Sequence, residues 1–114
     1  MRVLMCGSRD WIDPEPIRKA FERHQVTVCI HGGARGADTL AGREAALRGI
    51  PVAAFRAEWE RYGRGAGPIR NQRMVDEGAP ELVIAFHSDI EESRGTADMV
   101  RRAIQAGIPT EVIQ

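Results

Sequence analysis

Short apolar runs rich in β-branched residues alternate with amphipathic stretches along the whole chain. The runs are Val3 to Cys6, Val26 to Ile30, Val52 to Phe55, Leu82 to Phe86 and, more weakly, Glu111 to Ile113. Leu82-Val83-Ile84-Ala85-Phe86 has no polar alternation, the pattern of a strand covered on both faces. Between the runs, Pro14 to His24 places Ile17, Ala20 and Phe21 at i, i+3 and i+4, which is one face of a helix with its proline in the tolerated first turn. Thr39 to Arg48, with Leu40, Ala41, Ala45 and Leu47 apolar, stops at Gly49 ahead of Ile50-Pro51. Pro68 to Asp76 predicts a shorter, arginine-bearing helix, and Thr96 to Ala106, with Met99, Val100, Ala103 and Ile104, stops at Gly107 before Pro109. Strands alternating with helices predict an α/β, Rossmann-like, doubly wound and mainly parallel sheet of about five strands with helices on both faces.

A chain of 114 residues has room for one hydrophobic core, so residues 1–114 read as a single domain with a single site. Hydrophobic residues at 43% and charged residues at 28% place it among globular chains and exclude the low-apolar class of disordered ones. No apolar stretch approaches the roughly 20 residues that span a bilayer, and Met1-Arg2-Val3-Leu4-Met5 lacks a signal-peptide pattern; the cytoplasm is the expected compartment, with no membrane partner. Cys6 and Cys29 lie inside apolar runs and read as small hydrophobes, and no Cys/His/carboxylate spacing forms a metal cage, so neither a metal nor a cofactor is expected. The formal net charge is zero, which argues against a dedicated nucleic-acid binder. Yet every basic residue except Lys19 is arginine, the side chain suited to bidentate phosphate contacts.

In an open parallel sheet, ligands bind outside the carboxyl ends of the strands, where the loops entering the helices converge. The distinctive residues fall there. The first run ends in Gly7-Ser8-Arg9-Asp10-Trp11, the second in His31-Gly32-Gly33-Ala34-Arg35-Gly36-Ala37-Asp38, and the fourth in His87-Ser88-Asp89 through Ser93-Arg94-Gly95-Thr96. Gly32, Gly33 and Gly36 can take positive φ and admit a ligand to the backbone, while the helix that follows presents unpaired N–H groups and a positive dipole end. A phosphate fits such a loop, and so does a bare strand-to-helix turn; the spacing is neither G-x-G-x-x-G nor a Walker loop. Arg94-Gly95-Thr96 opens the last helix in the same manner, with Thr96 able to cap it or to offer a hydroxyl to phosphate. In Arg64 to Met74, polar Arg70, Asn71 and Arg73 follow a glycine hinge, and Arg70 and Arg73, three apart, share a helix face. Trp59 and Tyr62, in a long loop just upstream, either stack on a base or pin the loop down. His31 and His87 end strands and face the site, whereas His24 closes a helix and complements its dipole.

The segments "GSRDW", "HGGARGADTLA", "GPIRNQRMV" and "SRGTADM" resemble, in that order, the motifs of the YspA-type, YpsA-related branch of the SLOG superfamily, small Rossmann-like domains of bacteria and their phages. The resemblance covers nearly the whole chain and implies a nucleotide-binding domain that forms a homodimer or higher homo-oligomer. Gly33 to Asp38 with Ala41, and Arg70-Asn71 through Arg73, are also similar to the DNA-processing protein DprA, which implies single-stranded DNA as a ligand. A third likeness is to the LONELY GUY enzymes, which cleave the N-glycosidic bond of nucleoside 5′-monophosphates: Gly32, Gly33 and Gly36 resemble their glycine loop, Arg70 with Met74 their arginine motif, and Gly95-Thr96 their second loop. Here the pattern departs, because Met99 occupies the position of the catalytic glutamate, Asp98 lies one residue earlier, and Glu92 and Ser93 replace two glycines.

Three functions therefore compete. The first is binding of a small, phosphate-bearing nucleotide or nucleotide derivative, sensed, sequestered or processed, through Gly7, Ser8, Arg9, Gly32, Gly33, Arg35, Gly36, Asp38, Arg70, Asn71, Arg73, Arg94, Gly95 and Thr96. The second is a nucleoside-monophosphate phosphoribohydrolase in which Arg70 polarises the substrate and Asp98 supplies the carboxylate. The third is single-strand binding through Arg9, Arg35, Arg64, Arg70, Arg73 and Arg94, a local basic patch on a neutral chain. The glycine loops favour the first.

Overall fold

In a computed structural model, which describes residues 1–114, five strands form one parallel sheet: β1 (Arg2–Gly7), β2 (Val28–His31), β3 (Val52–Ala54), β4 (Leu82–Phe86) and β5 (Thr110–Ile113). Their order is β3-β2-β1-β4-β5. The helices are α1 (Glu15–Arg23), α2 (Ala37–Leu47), the short α3 (Trp59–Tyr62), α4 (Ala66–Asp76) and α5 (Gly95–Gln105). None is long and apolar enough to cross a membrane.

Strand alternation divides the core into two layers. Val3, Met5, Cys29, Ile84 and Phe86 face one side, where Ile17, Ala20 and Phe21 of α1 and Ala37, Ala41 and Ala45 of α2 cover them. Leu4, Cys6, Ile30, Val83 and Ala85 face the other side, under Met74 of α4 and Met99 and Ala103 of α5. Every residue of β4 is buried, as its unbroken apolar run requires. From β1 the chain winds through α1 and α2 to β2 and β3 on one side of it, then crosses back through α4 to β4 and through α5 to β5 on the other, so the winding reverses between β1 and β4. That reversal opens a crevice at the carboxyl ends of the two central strands.

Several boundaries differ from those read off the pattern. β2 begins at Val28 rather than Val26: Val28 pairs with Arg2, the first residue of β1, and upstream of that only Met1 remains, whose carbonyl accepts from Thr27 N–H at 2.9 Å; Val26 is still buried. α2 packs through Ala37, Ala41 and Ala45, whose i, i+4 spacing brings it close to the sheet, and this turns Leu47 out to 81% exposure. α4 starts at Ala66, two residues ahead of Pro68, so the expected glycine hinge around Gly65 and Gly67 is its first turn. Pro68 sits where the missing N–H is unpaired in any helix.

Candidate functional site

The crevice is shaped by backbone contacts that only glycine permits. At the end of β1, Ser8 N–H donates to the Phe86 carbonyl at 2.9 Å, and the Ser8 carbonyl accepts from Ala37 N–H at 3.1 Å, tying the switch point to the start of α2. A Cβ on Gly7 would strike the Phe86 carbonyl, and one on Gly36, at φ +78°, would strike the Ser8 carbonyl and Arg9. Between β2 and α2 the glycine loop closes on its own side chains. Asp38 Oδ2 accepts from Gly32 N–H at 2.9 Å and Ala34 N–H at 3.3 Å, and His31 Nδ1 accepts from Gly33 N–H at 2.9 Å. The anion at these N–H groups is thus Asp38 itself. The N–H groups of Arg35, Gly36, Asp38 and Thr39 have no acceptor within the chain.

Asp38 is 5% exposed, and burial raises its carboxyl to about 6, against the opposing pull of the Ala34 and Gly32 hydrogen bonds and of the Arg70 and Arg9 charges. Burial, then the charges of Arg56 and Arg70, lower His31 and keep it neutral with Nδ1 free to accept. Because the folded value of Asp38 lies above the ordinary 3.8 of a free aspartate, this group stabilises the fold as pH falls through about 6, the reverse of an ion-paired carboxylate. His31 acts with the opposite sign in the same range. Comparison with Asp38→Asn isolates the first contribution: relative to that variant, the wild type gains about 1 kcal/mol between pH 7 and pH 5 by urea unfolding. A flat difference across that range would mean Asp38 is not a buried carboxylate.

Arg70 crosses from α4 to this loop. Its Nη1 donates to the Gly32 carbonyl at 2.5 Å and its Nε to Asn71 Oδ1 at 3.0 Å. A Cβ on Gly32 would overlap the Arg70 guanidinium. Buried Asn71 in turn donates to the Gly95 carbonyl at 3.2 Å and to Asp98 Oδ2 at 3.0 Å. Asp98 also receives Arg101 Nη2 at 2.7 Å and Arg102 Nε at 2.8 Å. Burial raises the Asp98 carboxyl, but the hydrogen bonds from Arg102 and Asn71, with the Arg102 and Arg101 charges, hold it below the usual carboxylate range. Asp98 is an ionised strut that joins α4 to α5, and both its oxygens are occupied.

Around Arg70 the cleft has two lobes. One, of about 400 Å³, is lined by Gly32 and Gly33 with Arg9, Arg35, Arg56 and Arg70; the other, of about 980 Å³, by Arg9, Arg64, Arg70, Arg94 and Arg101 with Asn71 and Gly95. Trp59 borders both. It is 50% exposed and leans on α4, where a Cβ at Gly67 would sit 3.5 Å from its ring. Several arginines elsewhere are neutralised: Arg18, Arg23, Arg48, Arg73 and Arg102 each lie within ion-pair distance of a glutamate or aspartate, while Arg2 of β1, Arg43 of α2 and Arg61 of α3 border neither lobe and have no such partner. Arg9, Arg56, Arg64, Arg70 and Arg94 line the cleft and take part in no ion pair.

The structure brings most of the sequence-derived residues to this crevice, in differing roles. Arg35 is 75% exposed and lies 3.6 Å from Asp10. Ser8 acts through its backbone, while its Oγ accepts from Asp10 N–H at 3.0 Å. Ser93, rather than Thr96, caps α5, accepting from Thr96 N–H at 3.0 Å, and buried Thr96 lines a third, small cavity. Arg73 departs from the shared face expected with Arg70: it donates to Glu77 at 2.7 Å, stacks 5.5 Å above Phe55 and borders neither lobe. His87 accepts from Asp89 N–H and borders neither lobe. Two lining arginines were not anticipated. Arg56 follows the end of β3 by two residues, so the strand-end rule, applied to the third apolar run, points to it. Arg101 carries no signal beyond its i+3 spacing from Asp98.

Comparison with known proteins agrees with this architecture. The family model described as "YspA, cpYpsA-related SLOG family" matches residues 1–62. The gene 61 protein of Mycobacterium phage D29 is 41% identical over 118 residues, covering 95% of this chain and 92% of that protein. Among solved structures, DNA processing protein A (DprA) from Streptococcus pneumoniae superposes with a TM-score of 0.76 at 20% identity, over 99% of this chain. The chain spans 50% of the length of that protein, and the likeness is one of fold.

Proposed function

Because the chain belongs to the YspA, cpYpsA-related SLOG family, we propose that its cleft binds a small, phosphate-bearing nucleotide or nucleotide derivative. The observation that carries this reading is the segregation of charge: Arg9, Arg56, Arg64, Arg70 and Arg94 meet at one cleft without acidic partners, in a chain whose net charge is zero. Unpaired guanidiniums held close together repel one another, and a multiply charged anion relieves that repulsion through bidentate hydrogen bonds. The N–H groups at the start of α2 that lack acceptors add to the attraction. Trp59, half exposed between the lobes, offers a base a flat apolar surface.

Binding is favoured over glycosidic cleavage by the state of Asp98. A carboxylate that already accepts from Asn71, Arg101 and Arg102 has neither a proton to donate nor a free oxygen to offer an oxocarbenium ion. Native mass spectrometry of freshly purified protein, followed by denaturation and identification of the released molecule, tests the reading. The expected result is a mass increment corresponding to a compound with at least one phosphoryl group, or, for protein isolated empty, the same increment on adding a nucleotide extract. A released molecule without phosphate would remove the reading.

A further inference from the structure

We infer that the small cavity at the junction of β1 and β4 is a sugar subsite, in which Asp38 Oδ1 accepts a hydroxyl of a ribose phosphate; the ligand is then a ribonucleotide derivative rather than a deoxyribonucleotide or DNA. This rests on the proposal that the cleft takes a phosphate-bearing ligand. The cavity measures about 70 Å³ and is lined by Asp38, Arg70, Asn71 and Thr96 above buried Cys6 and Met99. It shares Arg9 and Arg70 with both larger lobes and so adjoins each of them, which makes the sugar that links a phosphate to a base the part of the ligand assigned to it. Liquid water takes about 30 Å³ per molecule, so the space suits a pair of hydroxyls and is too small for a whole nucleoside.

The chemistry of the lining selects the group. Asp38 is nine-tenths or more buried, and its Oδ2 is engaged by Gly32 and Ala34, but Oδ1 has no partner in the chain and is not sealed off. Oδ1 is thus a carboxylate acceptor left free for a ligand, and because its charge repels phosphate, the ligand group it takes is an O–H or N–H. Asn71 cannot supply it, since its amide is committed to Gly95 and Asp98. A base amine is disfavoured because the exposed ring on which a base would stack, Trp59, borders the two larger lobes and not this cavity. The hydroxyl of Thr96, whose side chain lines the same space with no hydrogen bond of its own, is placed for the second hydroxyl of a diol.

Calorimetric titration with ribose 5-phosphate, 2-deoxyribose 5-phosphate and inorganic phosphate tests the subsite without committing to a base. Ribose 5-phosphate should bind about tenfold or more tightly than its 2-deoxy counterpart, as expected when a charged acceptor loses its donor. In Asp38→Asn, the amide can present N–H where the carboxylate presents an acceptor, and the preference for ribose 5-phosphate over its 2-deoxy counterpart should shrink below about twofold. Thr96→Val, which leaves the glycine loop untouched, should reduce the preference in the same direction if Asp38→Asn does not fold. Equal affinity of the wild type for the two sugar phosphates overturns the subsite and leaves the phosphate reading standing. Failure of all three to bind overturns both.

Discussion

Arg70→Ala is expected to weaken binding of nucleoside 5′-monophosphates by about ten- to a hundredfold in calorimetric titration, corresponding to the roughly 1.5 to 3 kcal/mol of a charge-assisted hydrogen bond. The magnitude follows from its place. Arg70 borders both lobes and the small cavity, so a ligand that reaches across them lies against it. Of the five N–H donors of its guanidinium, one is used on the Gly32 carbonyl and one on Asn71, which fixes the plane and leaves the others for the ligand. Arg70→Lys should recover little, because an ammonium cannot hold the loop carbonyl and the Asn71 amide together and still present a fork. Removal of the guanidinium also takes away a charge that lowers the Asp38 carboxyl, so Asp38 should titrate still higher in the variant. An Arg70→Ala protein that folds and binds within twofold of the wild type would separate the unpaired arginines from ligand binding altogether.

The fold was legible because its signals are local. Leu82 to Phe86 is apolar at every position and becomes the fully buried strand β4; Ile17, Ala20 and Phe21 repeat at helical spacing and become the buried face of α1. What escaped were features that exist only in three dimensions. α3, Trp59–Tyr62, is four residues long, too short for a period to show. The start of β2 depends on where β1 begins. Leu47 completes an apolar pattern on paper, but the alanine face of α2 can approach the sheet more closely than a leucine face, and the alanines are what packed.

The candidate site was legible as a set of residues that meet at one crevice, and much less as a set of contacts. Glycines, arginines and Asp38 at strand ends were enough to mark the crevice, since topology brings strand ends together. Their partners could not be read. Asp38 reads from the sequence as a ligand contact in a phosphate loop; in the structure its Oδ2 also supplies the anion that holds Gly32 and Ala34 in place. Residues three apart on a helix lie about 60° apart in projection. That angle was enough to point Arg70 over the end of the sheet and Arg73 toward Phe55 and Glu77. Net charge says nothing of where charges sit: acids pair with several arginines outside the cleft, while five inside it are left unpaired.

Gly36→Val should cost about 3 kcal/mol or more of folding stability, lowering the thermal midpoint by more than about 10 °C, as read by scanning calorimetry. Two penalties combine. The residue has φ +78° and ψ −126°, a region that side-chain-bearing residues scarcely occupy, and its missing Cβ points into the backbone of Ser8 and Arg9. That backbone cannot yield, because the Ser8 carbonyl is held by Ala37 N–H and the Ser8 N–H holds the Phe86 carbonyl of β4. A shift there would disturb the place where β1, β4 and α2 meet, which is also the crevice. Gly49→Val provides the control: Gly49 has φ +68° with nothing within 4 Å of where a Cβ would stand, so its penalty is conformational alone, on the order of 1 to 2 kcal/mol. If the two variants lost equal stability, the close approach of Gly36 to the β1 loop would contribute nothing, and the glycine loop would be a strand-to-helix turn rather than the wall of a ligand crevice.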